Sequence, residues 1–160
     1  RQRGPRVIVS EPRSERRELA LRLGASDAFD PTQGDAVEQV RALTGGRGAD
    51  FVYNTAAHPA VAAQAVQMTA ACGTCVMFSS IHPRQDVPID AGRLHSLQVT
   101  VTGAVSPTKR AYFESVQMLD KGLVDPTPLI EGVFDYTEFQ KAMDTAIRSD
   151  SYKVIVRFGE

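Results

Sequence analysis

Glu11 has the type and the placement of a ligand-binding acid. It follows Val7-Ile8-Val9-Ser10, a short β-branched run that reads as a strand, so its carboxylate stands at a strand's carboxyl end. In doubly wound sheets ligands bind at that edge, and an acid there can accept both hydrogen bonds of a ribose diol. Arg16, at the start of the next helix, could flank an adenosine. As plain structure, Glu11 would be a solvated loop glutamate. Asn54-Thr55-Ala56-Ala57 ends a later strand; its small residues let a ligand approach the backbone, and Asn54 and Thr55 offer polar contacts. His58, just before Pro59, reads as a helix-entry residue rather than an acid or base.

Two other motifs invite chemistry and lose it on inspection. Cys72-Gly73-Thr74-Cys75 has CxxC spacing, which suits a redox pair or half of a zinc site. A structural zinc needs four ligands, yet no second CxxC or paired-histidine spacing exists, and His58, His82 and His95 stand singly. The pair also sits at the entrance to a buried strand, where cysteine behaves as a small hydrophobe. Gly45-Gly46-Arg47-Gly48 follows a helix and precedes a strand, whereas a dinucleotide fingerprint follows a strand and opens a helix. It reads as a helix stop and a turn.

The elements that must position these residues alternate with little wasted sequence. Strands are expected at Val7–Ser10, Ala28-Phe29, Phe51–Tyr53, Thr74–Phe78 and Gln98–Gly103. Between them, one helix is capped by Ser14, carries Leu19, Leu21 and Leu23, and stops at Gly24. A second starts in a capping box of Asp35 and Glu38, with Val37, Val40 and Leu43 on one face. A third runs from Pro59 to Ala71, and a fourth carries Tyr112, Val116 and Leu119 up to Gly122. Apolar strands alternating with amphipathic helices give a parallel sheet covered on both faces. After Gly122 the pattern breaks at Pro126 and Pro128. A strand at Leu129–Phe134, a helix capped by Thr137 with Gln140 (Phe139, Ala142, Met143, Ala146, Ile147), and a strand at Lys153–Phe158 follow. That stretch is too short to hold its own core and should dock on a second domain.

Composition narrows the function classes. The chain has 160 residues, 42% of them apolar and 23% charged, with 18 basic and 19 acidic residues and a net charge of −1. This is a soluble globular balance with no electrostatic case for nucleic acid. No apolar run approaches the ~18 residues of a membrane span. Two cysteines make no disulfide framework, and a cytoplasmic protein is expected. Arg1-Gln2-Arg3-Gly4-Pro5-Arg6 reads as the end of a helix that begins elsewhere rather than as a nucleic-acid arm.

Taken together, these segments resemble the zinc-type medium-chain dehydrogenases, the family of the sorbitol, threonine and alcohol dehydrogenases. Val7 to Arg16 is similar to that family's second strand and the turn after it, and Leu23-Gly24-Ala25 to its helix ending. Thr44-Gly45-Gly46-Arg47-Gly48-Ala49-Asp50 looks like its glycine turn before the fourth strand, and Gly73 to Ser80 like its fifth strand. Val101-Thr102-Gly103-Ala104-Val105 and Lys153-Val154-Ile155-Val156 match later signatures.

The resemblance implies a Rossmann-type doubly wound α/β fold over residues 1–122, lacking its first strand and glycine loop. It makes 123–160 a segment that returns to the catalytic domain. It implies hydride transfer between a secondary alcohol or polyol and NAD, less readily NADP, in a homo-oligomer. Glu11 would hold the adenosine ribose and Arg16 would flank it. Phe78, Ser79, Ser80, Val105, Ser106 and Pro107 would line the nicotinamide side, and Lys153 would face the pyrophosphate. The family usually has glycine where Ser79 stands. Zinc and its ligands belong to the amino-terminal domain, so no catalytic or metal residue is expected here and these 160 residues alone are expected to be inactive. Arg13, Arg16 and Arg17 near Glu11 offer partners to a 2′-phosphate and pull toward NADP. A non-catalytic nucleotide-binding remnant and a methyltransferase are the alternatives; the latter would end in an antiparallel hairpin.

In the strand order 3-2-1-4-5-6, the first strand lies between Val7–Ser10 and Phe51–Tyr53. Without it two apolar edges would face each other unpaired. Either the halves close, another chain supplies the strand, or further residues of the protein do; the last is expected. Self-association is expected through Val87–Val105.

Overall fold

Asp35 shows most directly how local sequence starts an element. Its carboxylate accepts hydrogen bonds from the N–H groups of Val37 (2.8 Å) and Glu38 (3.1 Å), ends otherwise left without partners, and the helix Ala36–Leu43 begins there. In the computed structural model the described residues are 4–148 and 150–159, in two compact units, 1–105 and 106–160. Of the stretch Arg1-Gln2-Arg3-Gly4-Pro5-Arg6, expected to end a helix, the first three residues lie outside the described residues. Gly4 to Arg6 are not helical, since Pro5 lacks the N–H a helix interior needs.

The first unit runs β1 (Ile8–Ser10), α1 (Ser14–Arg22), β2 (Asp27–Phe29), α2 (Ala36–Leu43), β3 (Ala49–Asn54), α3 (Pro59–Met68), β4 (Thr69–Met77), α4 (Ala91–Leu97) and β5 (Thr100–Gly103). The pairings are parallel: β1 with β2, and β3-β4-β5 in that order. Among the described residues no ladder joins β1 to β3. The sheet is divided where the strand order anticipates a central strand, and its halves have not closed on each other. One buried cluster unites α2 (Ala36, Val37, Val40) with Met68, packed against Phe29, Ala49 and Val52. A second unites Ala65, Val66 and Cys75, packed against Met77, Leu94 and Val101. α2 therefore bridges the two half-sheets.

The second unit holds α5 (Lys109–Asp120), β6 (Ile130–Asp135), α6 (Phe139–Ala146) and β7 (Lys153–Arg157). β7 lies parallel to β6, not in an antiparallel hairpin, which removes the structural basis of the methyltransferase alternative. Among its described residues Ala142 is buried, while Tyr136, Phe139, Ile147 and Phe158 are exposed.

Several local expectations are corrected. Arg13, not Ser14, holds the N-cap position of α1, without a side-chain cap, and no α1 residue is buried. Glu38 does not complete a capping box; its carboxylate pairs with Arg41 at 2.6 Å. α3 stops at Met68 because Thr69 to Ala71 join β4, where sheet pairing overrides their helical composition. α4, capped by Asp90, was not foreseen, and Gln98, read as strand, is its left-handed C-cap at φ 53°. Asp135 caps the short turn before α6, and Gln140 bonds Asp144 instead of sharing a cap with Thr137.

Candidate functional site

The carboxyl ends of β1, β3, β4 and β5 carry the predicted residues of the first unit. Beyond β1, the Glu11 N–H donates to the Phe29 carbonyl at 3.1 Å, extending the β1–β2 ladder by one bond. Glu11 is half-buried, and its Oε1 accepts from the Arg13 N–H at 2.9 Å, so the carboxylate closes the turn that leads into α1. That fixes its side chain at the strand edge with its remaining acceptor capacity for a diol. Arg16 lies half-buried in the first turn of α1.

Arg17 is the residue sequence reasoning misread. Its Nη1 donates to the carbonyls of Glu11 (2.8 Å) and Pro12 (2.7 Å) and lies 3.4 Å from Asp30 Oδ2. The guanidinium is a brace between the β1 turn and the end of β2, already committed where a phosphate partner was expected. The Asp30 carboxyl is held below its ordinary value by the Thr32 hydroxyl and then the Thr32 N–H, with Arg17 adding a smaller pull. Arg13, Arg16 and Arg17 are indistinguishable by type, so no sequence signal separated the brace from its neighbours.

At β3, Asn54 is only 4% exposed. Its carbonyl accepts from the N–H groups of Phe78 (3.0 Å) and Ser79 (3.2 Å), and its Oδ1 accepts from Ala56 N–H at 3.2 Å. Asn54 thus organises the ends of β3 and β4. The Ser79 hydroxyl donates to the Thr55 carbonyl, tying the same two ends together. Thr55 and Ser80 are exposed, as is Phe78. Val105, 88% exposed, ends the first unit just past β5, while Ser106 and Pro107 begin the second and Lys153 opens β7 within it. The structure brings together Asn54, Thr55, Phe78 and Ser79, and sets Glu11 at the corresponding end of β1.

His58, the two cysteines and the glycine run take the following local positions. His58 Nδ1 accepts from the Ala60 N–H at 3.2 Å, capping α3. Cys72 is exposed and Cys75 buried, both as free thiols, and burial pushes the Cys75 thiol up. Gly45, Gly46 and Gly48 all have positive φ in the turn between α2 and β3. An open hollow off β2, lined by Leu21, Asp27, Phe29, Gln39 and Leu43, includes none of the predicted site residues.

For a dinucleotide, Glu11 fits the ribose diol and the β3 and β4 ends supply an open, small-residue edge. A glycine-rich turn leading from a strand into a helix, the usual pyrophosphate cradle, is not found among the described residues. Zinc does not fit: no group of three or more histidine, cysteine or acidic residues among the described residues could hold a metal. No described helix is long and apolar enough to cross a membrane.

A family model described as zinc-binding dehydrogenase matches residues 1–121. The L-threonine 3-dehydrogenase of Bacillus velezensis is 32% identical over 156 residues, covering 94% of this chain and 44% of that protein. The geraniol dehydrogenase of Castellaniella defragrans is 36% identical over 132 residues, 82% of this chain and 31% of its own length. A Sinorhizobium meliloti 1021 protein described as a zinc-binding dehydrogenase and solved with NADP bound superposes with a TM-score of 0.86 at 21% identity, over 96% of this chain and 45% of that one. The chain spans under half the length of each.

Proposed function

The chain belongs to the zinc-binding dehydrogenase family, and on that premise we propose that it is the cofactor-binding part of an NAD-dependent oxidoreductase. When bound, NAD supplies the hydride acceptor for a secondary alcohol or polyol. Zinc assistance belongs to residues outside these 160. Within the chain, Glu11 binds the adenosine ribose, Arg16 flanks it, and the edge formed by Asn54, Thr55, Phe78, Ser79 and Ser80 faces the nicotinamide half. Val105 extends that edge past β5, and 123–160 docks on the catalytic domain through its exposed apolar residues. The protein is cytoplasmic, in keeping with its two free thiols. Copies associate through Val87–Val105.

The observation that carries the reading is Glu11, a half-buried carboxylate at the carboxyl end of β1. A carboxylate there accepts from a 2′-hydroxyl and repels a 2′-phosphate. Arg17, braced on two carbonyls and Asp30, is withdrawn from competition for that phosphate. Titrating the intact protein with NADH and NADPH by fluorescence tests this. NADH should bind more tightly, and Glu11→Ala should reduce its affinity about 10-fold to 100-fold, the worth of charge-assisted hydrogen bonds. Tighter NADPH binding, or an indifferent Glu11→Ala, overturns it.

A further inference from the structure

Arg17 stands where its own helix makes a cation unfavourable. It lies early in α1, and its N–H donates to the carbonyl of the N-cap residue Arg13 at 3.1 Å. Helical side chains lean toward the N-terminus, so the guanidinium reaches back over the turn that carries Glu11. There the helix dipole repels a cation and attracts an anion. Two carbonyls and one carboxylate hold it in place: Nη1 donates to Glu11 (2.8 Å) and Pro12 (2.7 Å) and stands 3.4 Å from Asp30 Oδ2. Asp30 is oriented through its other oxygen, since Oδ1 accepts from the Thr32 N–H (2.9 Å) and hydroxyl (2.6 Å). The circuit closes through backbone, because the Glu11 N–H donates to the carbonyl of Phe29, the residue before Asp30. The Arg17 and Asp30 side chains are 22% and 19% exposed, so solvent screens the pair only in part.

We propose that Asp30 is a specificity-determining residue of the ribose site, acting through Arg17. Its part is to hold the guanidinium on the carbonyls of the turn, where its charge is neutralised and withheld from a 2′-phosphate. The inference rests on Glu11 as the ribose ligand and deepens that reading. A helix start that attracts anions discriminates against a phosphate only while Glu11 repels it and Arg17 is kept from it. Asp30→Asn preserves the size of the side chain and the oxygen that Thr32 uses. It removes the counter-charge and sets an amide donor against the guanidinium. Arg17 is then left with two neutral carbonyls, and a phosphate dianion is the stronger partner.

Fluorescence titration of the intact protein with NADH and NADPH tests this, beside NMR exchange rates of the Arg17 side-chain N–H groups without cofactor. Asp30→Asn should tighten NADPH binding about 10-fold, the strength of one charge-assisted hydrogen bond, and leave NADH within about 3-fold. The Arg17 N–H groups should exchange about 10-fold faster. Arg17→Gln added to Asp30→Asn should abolish the NADPH gain. A gain that survives comes from lost repulsion alone and overturns the role of Arg17. Thr32→Val keeps the charge but frees Oδ1; it should give a smaller gain of the same sign, and it reports on the same brace if Asp30→Asn does not fold. Equal weakening of both cofactors would make Asp30 a merely structural residue and overturns the proposal. So does an unchanged ratio of the two affinities in folded variants; if Glu11→Ala still weakens NADH there, the cofactor reading stands. A parent protein that binds neither dinucleotide overturns both.

Discussion

Replacing Gly48 by alanine isolates what the turn before β3 requires. Gly48 has φ +86°, where an alanine is strained by about 1–2 kcal/mol. A Cβ there would also stand 2.5 Å from the Met68 carbonyl oxygen and 3.1 Å from the Ala70 nitrogen, both backbone atoms that no rotamer change can move. Ordinary contact begins at 3.4 Å, so the start of β3 and the α3–β4 junction must separate by most of an ångström. That junction carries the Ala49–Thr69 pairing and Met68 of the α2 cluster, and overpacking at such a site adds about 1–3 kcal/mol. Gly48→Ala should therefore cost about 2–5 kcal/mol. Gly46→Ala is the control: φ is +84° but nothing lies within 4 Å, so only the strain of about 1–2 kcal/mol applies. Urea unfolding followed by circular dichroism measures both, with comparable m-values as the check on compactness. If the two variants agree within about 0.5 kcal/mol, the close approach contributes nothing and the reasoning fails.

Thiol titration should find Cys72 reactive and Cys75 silent in the folded chain, with Cys75 appearing only in denaturant. Because burial raises the Cys75 pKa, the unfolded chain ionises first, and stability should fall as pH climbs past the ordinary 9.0. Two thiols reacting at one rate would contradict this. Thr32→Val should move the Asp30 titration upward toward 3.8, read from its carboxyl carbon shift, because the Thr32 hydroxyl is the largest cause of its depression. The sign is that of a lowered carboxylate: its contribution is present above 3.8 and is lost as pH falls below it.

Much of this arrangement was legible in residue order, and the failures have physical causes. Asp35 was readable because an N-cap is a local contract between one side chain and the next turn's N–H groups. Glu11 was readable as an acid after a β-branched run. Thr69 to Ala71 were misassigned because their composition suits a helix, whereas the pairing of Thr69 with Ala49 of β3 draws them into β4. α4 escaped notice because Gly92 and Ser96 dilute its pattern. What holds it is tertiary: Arg93 Nη2 donates to the carbonyls of Gln67 (3.0 Å) and Thr69 (2.8 Å) across the end of α3. Arg17 escaped for the same reason, since its partners, the carbonyls of Glu11 and Pro12 and the Asp30 carboxylate, converge only after β1 and β2 pair.

The position of Glu11 relative to Asn54 is then set by α2 rather than by any strand pairing. The ladder from β3 to β5 places Asn54, Phe78 and Ser79 through continuous backbone bonds. No such ladder reaches β1 among the described residues, so Glu11 is located through two indirect links. One is apolar: Phe29, whose carbonyl holds the Glu11 N–H, packs on the α2 cluster that also touches Val52 of β3. The other is polar: Arg6 pairs with Asp27 of β2 at 2.8 Å and donates to the carbonyl of Leu43, the last residue of α2. Both pass through one short helix, and the salt bridge between Arg6 and Asp27, largely exposed, contributes at most about 1 kcal/mol. The strand ends that carry Glu11 and Asn54 therefore share no continuous backbone ladder among the described residues, and the packing of α2 decides their separation.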